Sequence, residues 1–142
     1  MKTKDIIPVL LLFIAMTVSA QKKITVSELP PGAEDFIKQY FPNTTIDIAK
    51  KDWEHGEKGY EVILSDGTEV EFWKDGKWRE VDGRKKPIPT GFIDKSIVDY
   101  VTKNYPNNKI THIDYGHKDV DVDLTEKIDL EFSKEGKFLE ED

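Results

Sequence analysis

Cysteine is absent from this chain of 142 residues, and so are the familiar motifs of covalent catalysis. Without cysteine there can be no disulfide and no thiolate nucleophile, so the burial of apolar side chains must hold the fold together. No Gly-x-Ser-x-Gly elbow or phosphate-binding loop occurs, because the nine glycines stand singly. Ser65 precedes Asp66, but an Asp-Gly pair after a strand is first of all a turn. We therefore predict a protein that is not an enzyme and has no cofactor.

Basic residues are outnumbered by acidic ones. The chain has 21 Lys and Arg against 28 Asp and Glu, which gives a formal net charge of −7 and a sequence pI of about 5.0. Such a surface repels phosphate backbones and anionic lipid headgroups. The composition therefore argues against nucleic acid and membrane surfaces as partners.

Long apolar runs are missing from the sequence except near its start. Lys2 and Lys4 precede an apolar run from Ile6 to Val18, and the small residues of Val18-Ser19-Ala20 fit a signal-peptidase site. We predict a secretory signal peptide over residues 1–20, a periplasmic or secreted protein, and no membrane span after cleavage. An uncleaved anchor is the alternative. No cysteine follows the run, so a lipoprotein anchor is excluded.

The strongest pattern in the sequence is an internal repeat. Residues 60–78 recur sixty positions later as residues 120–138. Identical residues stand at Val62/Val122, Leu64/Leu124, Glu71/Glu131, Phe72/Phe132, Lys74/Lys134, Gly76/Gly136 and Lys77/Lys137. We expect two repeats, residues 21–83 and 84–142, joined by a short polar link into one compact domain.

The first loop of the repeat determines which residues face each other. A two-residue turn at Asp66-Gly67 would place Glu61 opposite Phe72 and mix charged with apolar residues on one face. A three-residue loop, Ser65-Asp66-Gly67, closed by glycine in the left-handed region, keeps the two faces separate. This register predicts the pairs Tyr60–Phe72, Glu61–Glu71, Val62–Val70, Val120–Phe132, Val122–Leu130 and Leu124–Ile128, and a like loop at Lys74-Asp75-Gly76 predicts Phe72–Trp78 and Phe132–Phe138.

A helix and one further strand precede each meander. Residues 45–53 and 109–115 are typical of strands; Ile46 and Ile48 alternate, whereas Ile110 and Ile113 lie three apart, which predicts a bulge or a shorter strand. Apolar stripes at helical spacing predict a helix after Pro30-Pro31 and a second one that begins near Thr90. The stripes are Ala33, Phe36, Ile37 and Tyr40, ended by Pro42-Asn43, and Ile97, Tyr100, Val101 and Tyr105, ended by Pro106-Asn107.

This arrangement resembles the PepSY-like, or β-lactamase-inhibitor-like, family of small exported proteins of Bacteroides-type bacteria. The resemblance covers residue 24 to the C-terminus and rests on the turn and core motifs Leu64–Gly67 and Glu71–Lys77 in two copies. It implies an α+β tandem repeat, in which two four-stranded antiparallel sheets join into one curved sheet with the helices on one face. The family label implies inhibition of an enzyme, but no residue here maps onto inhibitory contacts.

Two local patterns suggest metal ligands. His112 and His117 lie close to Asp114 and Asp119, although a surface turn at Gly116 explains the same residues. Residues 119–123 alternate aspartate and valine like the start of a calcium loop, but the glycine and glutamate that such a loop requires are missing. We therefore predict a strand with one acidic face and no metal site.

The polar face of the sheet is the candidate binding surface. We predict partner binding by Trp73, Ile63, Glu61, Glu71, Arg79, Asp121, Asp123, Asp129 and Glu131. Trp73 stands where the second copy has Ser133, so it either anchors a partner or packs at the junction between the copies. We interpret the chain as an exported, inhibitor-like binding module for a protein or peptide in the envelope. The alternative is divalent-cation or small-ligand binding on the acidic face.

Overall fold

The computed structural model describes residues 22–54 and 57–142, so the predicted signal peptide lies outside the described residues. None of the helices in these ranges has the length and apolar character needed to cross a bilayer. The elements in chain order are β1 (Lys22–Ile24), a 3-10 helix (Val26–Glu28), α1 (Ala33–Tyr40), β2 (Ile46–Glu54), β3 (Glu57–Leu64), β4 (Glu69–Trp73), β5 (Trp78–Asp82), α2 (Lys95–Asn104), β6 (Ile110–Tyr115), β7 (Asp119–Leu124), a 3-10 helix (Thr125–Lys127), β8 (Ile128–Ser133) and β9 (Phe138–Glu141).

The described strands form one curved antiparallel sheet of nine strands, in which each strand pairs with the next along the chain. β2 to β5 form one meander and β6 to β9 another, and the pairing of β5 with β6 joins them through Glu80–Asp114, Val81–Ile113 and Asp82–His112. β1 adds an edge strand next to β2. The predicted α+β class and the single joined sheet are confirmed.

Three-residue loops connect β3 to β4, β4 to β5, β7 to β8 and β8 to β9, as predicted. The backbone N–H of Leu64 donates to the carbonyl of Thr68 at 2.9 Å, and that of Gly67 donates back to Leu64 at 2.9 Å. Gly67 and Gly76 have φ of +90° and +88°, a region that glycine adopts without strain. Every pair that the register predicted is present.

A row of apolar side chains crosses the sheet under the helices. The register sets Ala49, Val62, Val70, Val81, Ile113, Val122 and Leu130 opposite one another, and each is at most 5% exposed. Ile37 of α1 and Ile97 of α2 are buried in the same core. Edge-to-face ring contacts complete the packing, with Phe36–Phe72 centroids 5.6 Å apart and Tyr100–Phe132 centroids 5.5 Å apart.

A β-bulge in the first strand of each meander changes which side chains face the core. On β2, Ile46 pairs with Leu64 but Ile48 pairs with Ile63, so Asp47 is the extra residue. Ile46 packs against the core and Ile48 lies on the other face, so the predicted alternation of the two isoleucines is wrong. On β6 the extra residue is Thr111, which confirms the bulge predicted there.

The second helix is shorter than predicted. It begins at Lys95 rather than near Thr90, because the Asp94 carboxylate accepts a hydrogen bond from the Ser96 N–H at 2.9 Å and caps the first turn. Ile93 precedes the helix in a turn, where its N–H donates to the carbonyl of Thr90, and its side chain is still buried.

We expect Phe132→Ala to lower the free energy of unfolding by about 3–5 kcal/mol, because it removes a fully buried ring and leaves a cavity. Phe132 is 0% exposed, whereas Leu139 on the neighbouring strand is 47% exposed. The matched change Leu139→Ala should therefore stay within about 0.5 kcal/mol of wild type. Urea unfolding of the three proteins measures both values, and equal losses would contradict the assignment of the two faces.

Candidate partner-binding face

Acidic side chains stand opposite one another on the side of the sheet away from the helices. The register aligns one carboxylate on each strand from β3 to β9, and we call this line the acidic row: Glu61, Glu71, Glu80, Asp114, Asp121, Glu131 and Glu140. Like charges directly opposite on a sheet destabilise it. The row therefore requires compensation from cations, protons or water.

A second row runs beside the acidic row and is also rich in carboxylates. It contains Ile63, Glu69, Asp82, His112, Asp123 and Asp129 on successive strands. The predicted partner-binding residues are distributed over this face: Glu61, Glu71, Asp121 and Glu131 lie in the acidic row, and Ile63, Asp123 and Asp129 in the second row. Their role in binding stays a prediction.

Trp73 connects the two meanders. Its ring lies under the guanidinium of Arg79, whose central carbon is 4.8 Å from the ring centroid, and against the ring of His117 at 5.3 Å between centroids. The Arg79 guanidinium also approaches the Glu71 carboxylate, with Nη1 3.7 Å from Oε2. Because His117 belongs to the turn after β6, this geometry favours the interpretation of Trp73 as a residue of the junction.

His112 is the cation at the centre of the face. Its Nδ1–H donates to Asp123 at 2.9 Å and its Nε2–H donates to Glu80 at 2.7 Å. Burial disfavours the imidazolium, but these two hydrogen bonds outweigh burial and raise the pKa of His112 to about 10. Burial would also raise the pKa of Glu80, yet the bond from His112 holds that pKa below its ordinary value. His112 is therefore charged at neutral pH and joins β5, β6 and β7.

Carboxylates in the C-terminal meander hold protons more tightly than usual. Burial first and Glu80 second raise the pKa of Asp114, and burial followed by Asp123 raises the pKa of Asp121 and of Asp129. The hydrogen bond with Asp119, together with burial and Glu140, raises the pKa of Glu131 to about 7. Negative charge is thus least compensated at this end of the sheet.

Two groups of three carboxylates in the described ranges have the spacing of cation ligands. One group is Asp52, Glu61 and Glu71, and the other is Glu131, Glu140 and Asp142; within each, one oxygen per residue lies within 4.8 Å of the others. Neither group contains a histidine. His112 binds Glu80 and Asp123 and His117 packs on Trp73, so the structure does not support the histidine cluster that the sequence suggested. Residues 119–124 form strand β7, which confirms the strand predicted from their alternation.

Glu80, Asp114 and Glu140 belong to the acidic row but were not predicted as site residues. Glu80 and Glu140 follow bulges at Arg79 and Leu139, and those bulges shift the face on which each glutamate lies. The pairing of β5 with β6, which places Asp114, is a contact between the meanders. The hairpin register alone determines neither the bulges nor the pairing of β5 with β6.

The chain is an α+β protein, with helices on one face of the sheet and a charged, open second face. Comparison with known protein families identifies the family to which it belongs. The family model described as "Putative beta-lactamase-inhibitor-like, PepSY-like" matches residues 58–140. The chain belongs to this PepSY-like family. A comparison with curated proteins gives no significant match.

Solved structures with the same fold come from Bacteroides. A protein of Bacteroides thetaiotaomicron, described as a "putative calcium-regulated periplasmic protein", is 37% identical, with a TM-score of 0.80 over 86% of this chain and 96% of that one. A periplasmic protein of the DUF2874 family from Bacteroides vulgatus is 31% identical, with a TM-score of 0.82 over 88% of this chain and 98% of that one. Both of these relatives are thus described as periplasmic.

We expect the charged His112 to stabilise the fold in a pH-dependent way. Its pKa is raised from 6.5 to about 10, so its contribution is fully present below pH 6.5 and is lost as the pH rises from 6.5 to 10. His112→Gln should be less stable than wild type by about 1–3 kcal/mol at pH 6.5, because it loses hydrogen bonds of a charged donor. The difference should shrink toward pH 10.

Urea unfolding of both proteins at pH 6.5, 8 and 9.5 measures this difference, and an NMR titration of the His112 ring gives its pKa directly. A difference that stays constant over this range, or a pKa near 6.5, would contradict the assignment of a permanent imidazolium.

Proposed function

We propose that this chain is an exported, non-enzymatic binding module whose open sheet face holds a protein partner in the periplasm. The proposal includes cleavage of residues 1–20 as a signal peptide and a tandem repeat with units 21–83 and 84–142. The periplasmic description of the Bacteroides relatives supports the compartment. The inhibitor-like family description supports a protein partner.

The observation that carries the proposal is the acidic row. Seven carboxylates line up across seven strands. Arg79 and His112 neutralise the centre of the row, beside Glu71 and Glu80. Exposed Asp121 and Glu140 lie toward the C-terminal edge, where carboxylates have raised pKa values. A partner with a cationic surface would relieve this repulsion, and charge complementarity would speed its association.

Divalent-cation binding is the second candidate function. A specific observation favours it, because the relative with 37% identity is described as calcium-regulated. Calcium prefers carboxylate oxygens in a flexible arrangement. Glu131, Glu140 and Asp142 offer three such oxygens, and the raised pKa of Glu131 reflects acidic neighbours that a cation would neutralise. This group is a better candidate than Asp52, Glu61 and Glu71, because Arg79 already approaches Glu71.

Reversal of one charge on the open face should weaken partner capture. Asp121 is exposed on β7, and Asp99 is exposed on α2 in the helix layer. We expect Asp121→Lys to reduce capture from an envelope extract by about tenfold, since it repels a cationic partner. Quantitative pull-down with immobilised wild type and variants measures the effect.

The matched variant Asp99→Lys makes the same change in net charge on the opposite layer and should capture as wild type does. Equal losses in the two variants would mean that net charge, and not the face, controls capture. If neither the Asp121→Lys variant nor a separate Trp73→Ala variant changed capture, the result would count against the whole face as a binding surface.

Calcium should stabilise the protein if the second candidate is correct. A ligand at ten times its dissociation constant raises the melting temperature of a domain of this size by roughly 4 °C. The double variant Glu131→Gln/Glu140→Gln should abolish the shift in melting temperature. The control variant Glu135→Gln, in the exposed turn, should keep that shift. Thermal unfolding with 0 to about 10 mM Ca²⁺ or Mg²⁺ tests this, and no shift at the highest concentration excludes the site.

A further inference from the structure

A groove lies where the link between the meanders meets the loop between β7 and β8. Its volume is about 770 Å³, which is the size of a site for a small organic ligand rather than for a single ion. One wall comes from the link after β5, the other from the turn Thr125–Lys127, and the floor from β6, β7 and β8. The groove is lined by Asp82, Arg84, Lys85, Thr111, His112, Asp123, Leu124, Thr125, Glu126, Lys127 and Asp129.

The groove carries charges of both signs, and Glu126 stands next to Lys127 on one of its walls. Lys85 and Lys127 stand on the two walls, whereas Asp123 and Asp129 lie side by side on the floor. The Arg84 guanidinium binds Glu69, and both ring N–H groups of His112 are used by Glu80 and Asp123. The floor carboxylates would repel a purely anionic ligand, and the wall lysines would repel a purely cationic one.

Both walls are built from residues in a strained backbone conformation. The described part of the chain has four residues other than glycine with positive φ, and all of them line this groove: Arg84 at 54°, Lys85 at 70°, Glu126 at 66° and Lys127 at 61°. Left-handed residues with a Cβ atom are costly, and such strain is concentrated at functional sites.

The strain at Lys127 is avoidable, which makes its presence informative. The hairpin between β3 and β4 has a loop of the same length, in which Gly67 is the one residue with positive φ, at +90°. The hairpin between β7 and β8 ends its loop with Lys127. Glycine would adopt this positive φ without steric strain, but it would remove the lysine side chain from the wall of the groove.

We propose that this groove binds a short zwitterionic peptide. Its α-ammonium group lies at Asp123 and Asp129 on the floor, and its α-carboxylate lies between Lys85 and Lys127 on the walls. The two ends of the ligand carry opposite charges, which pair with the floor carboxylates and with the wall lysines, and the volume accommodates a few residues. This site does not depend on the proposed protein partner, because a free peptide is tested on the purified protein alone.

Calorimetric titration with trialanine and its blocked forms tests the proposal. We expect saturable binding of trialanine, with about fivefold or more weaker affinity for N-acetyl-trialanine and for trialanine amide, because each has lost one charge. The doubly blocked peptide should not bind. Equal affinity for the free and the doubly blocked peptide, or no saturable binding of trialanine at about 20 mM, would overturn the proposal.

Lys127→Gly separates binding from folding. Since glycine relieves the positive φ, this variant should melt at or above the wild-type temperature, yet it should bind trialanine and trialanine amide with nearly equal affinity. Asp129→Asn should likewise lose the preference for a free ammonium group. Lys118→Gly, in an exposed turn that does not line the groove, is the control and should retain both preferences. Full retention of the carboxylate preference by Lys127→Gly would overturn the proposal.

Discussion

Strand register is the constraint on which the rest of this structure depends. Side chains alternate between the faces of a strand, so a slip of one residue would exchange the buried row around Val62 and Val122 with the acidic row. Three-residue loops fix the register of four hairpins, β3–β4, β4–β5, β7–β8 and β8–β9, and a residue in the left-handed region closes each of these loops. The dry core and the charged face are consequently two results of one pairing pattern, and a change in a loop residue acts on both.

The acidic row opposes this register, and the fold compensates the row unevenly. At the centre, where side chains are half-buried, Arg79 lies beside Glu71 and the His112 imidazolium lies beside Glu80. Buried carboxylates need such partners, because water cannot solvate them there. Toward β9 the carboxylates are more exposed and rely on solvent, and the hydrogen bond with Asp119 raises the pKa of Glu131 to about 7. The negative charge that has no cationic partner among the described residues therefore lies near the β9 edge of the sheet and not at the junction of β5 with β6.

Sequence reasoning predicted the features that local rules determine. Hairpin loops, paired faces and helix stripes follow from turn chemistry and periodicity, and these were confirmed. It failed where one residue shifts a pattern or where distant segments meet. The bulge at Asp47 turns Ile48 to the open face, and the cap at Asp94 starts α2 late. The bond between Glu80 and His112 joins residues 32 positions apart, and no local pattern specifies it.

The two meanders share strand register but differ in the side chains on their open faces. The first carries Ile48, Ile63 and Trp73, and the Trp73 ring is already covered by Arg79 and His117. The second carries the exposed carboxylates and the strained lysine wall of the groove. Strain and like-charge repulsion both lower stability, and the second meander has both, at Glu126 and Lys127 and in its exposed carboxylates. The buried row runs unbroken across both meanders through the pairing of Val81 with Ile113, so burial of this common core is the term that offsets both costs.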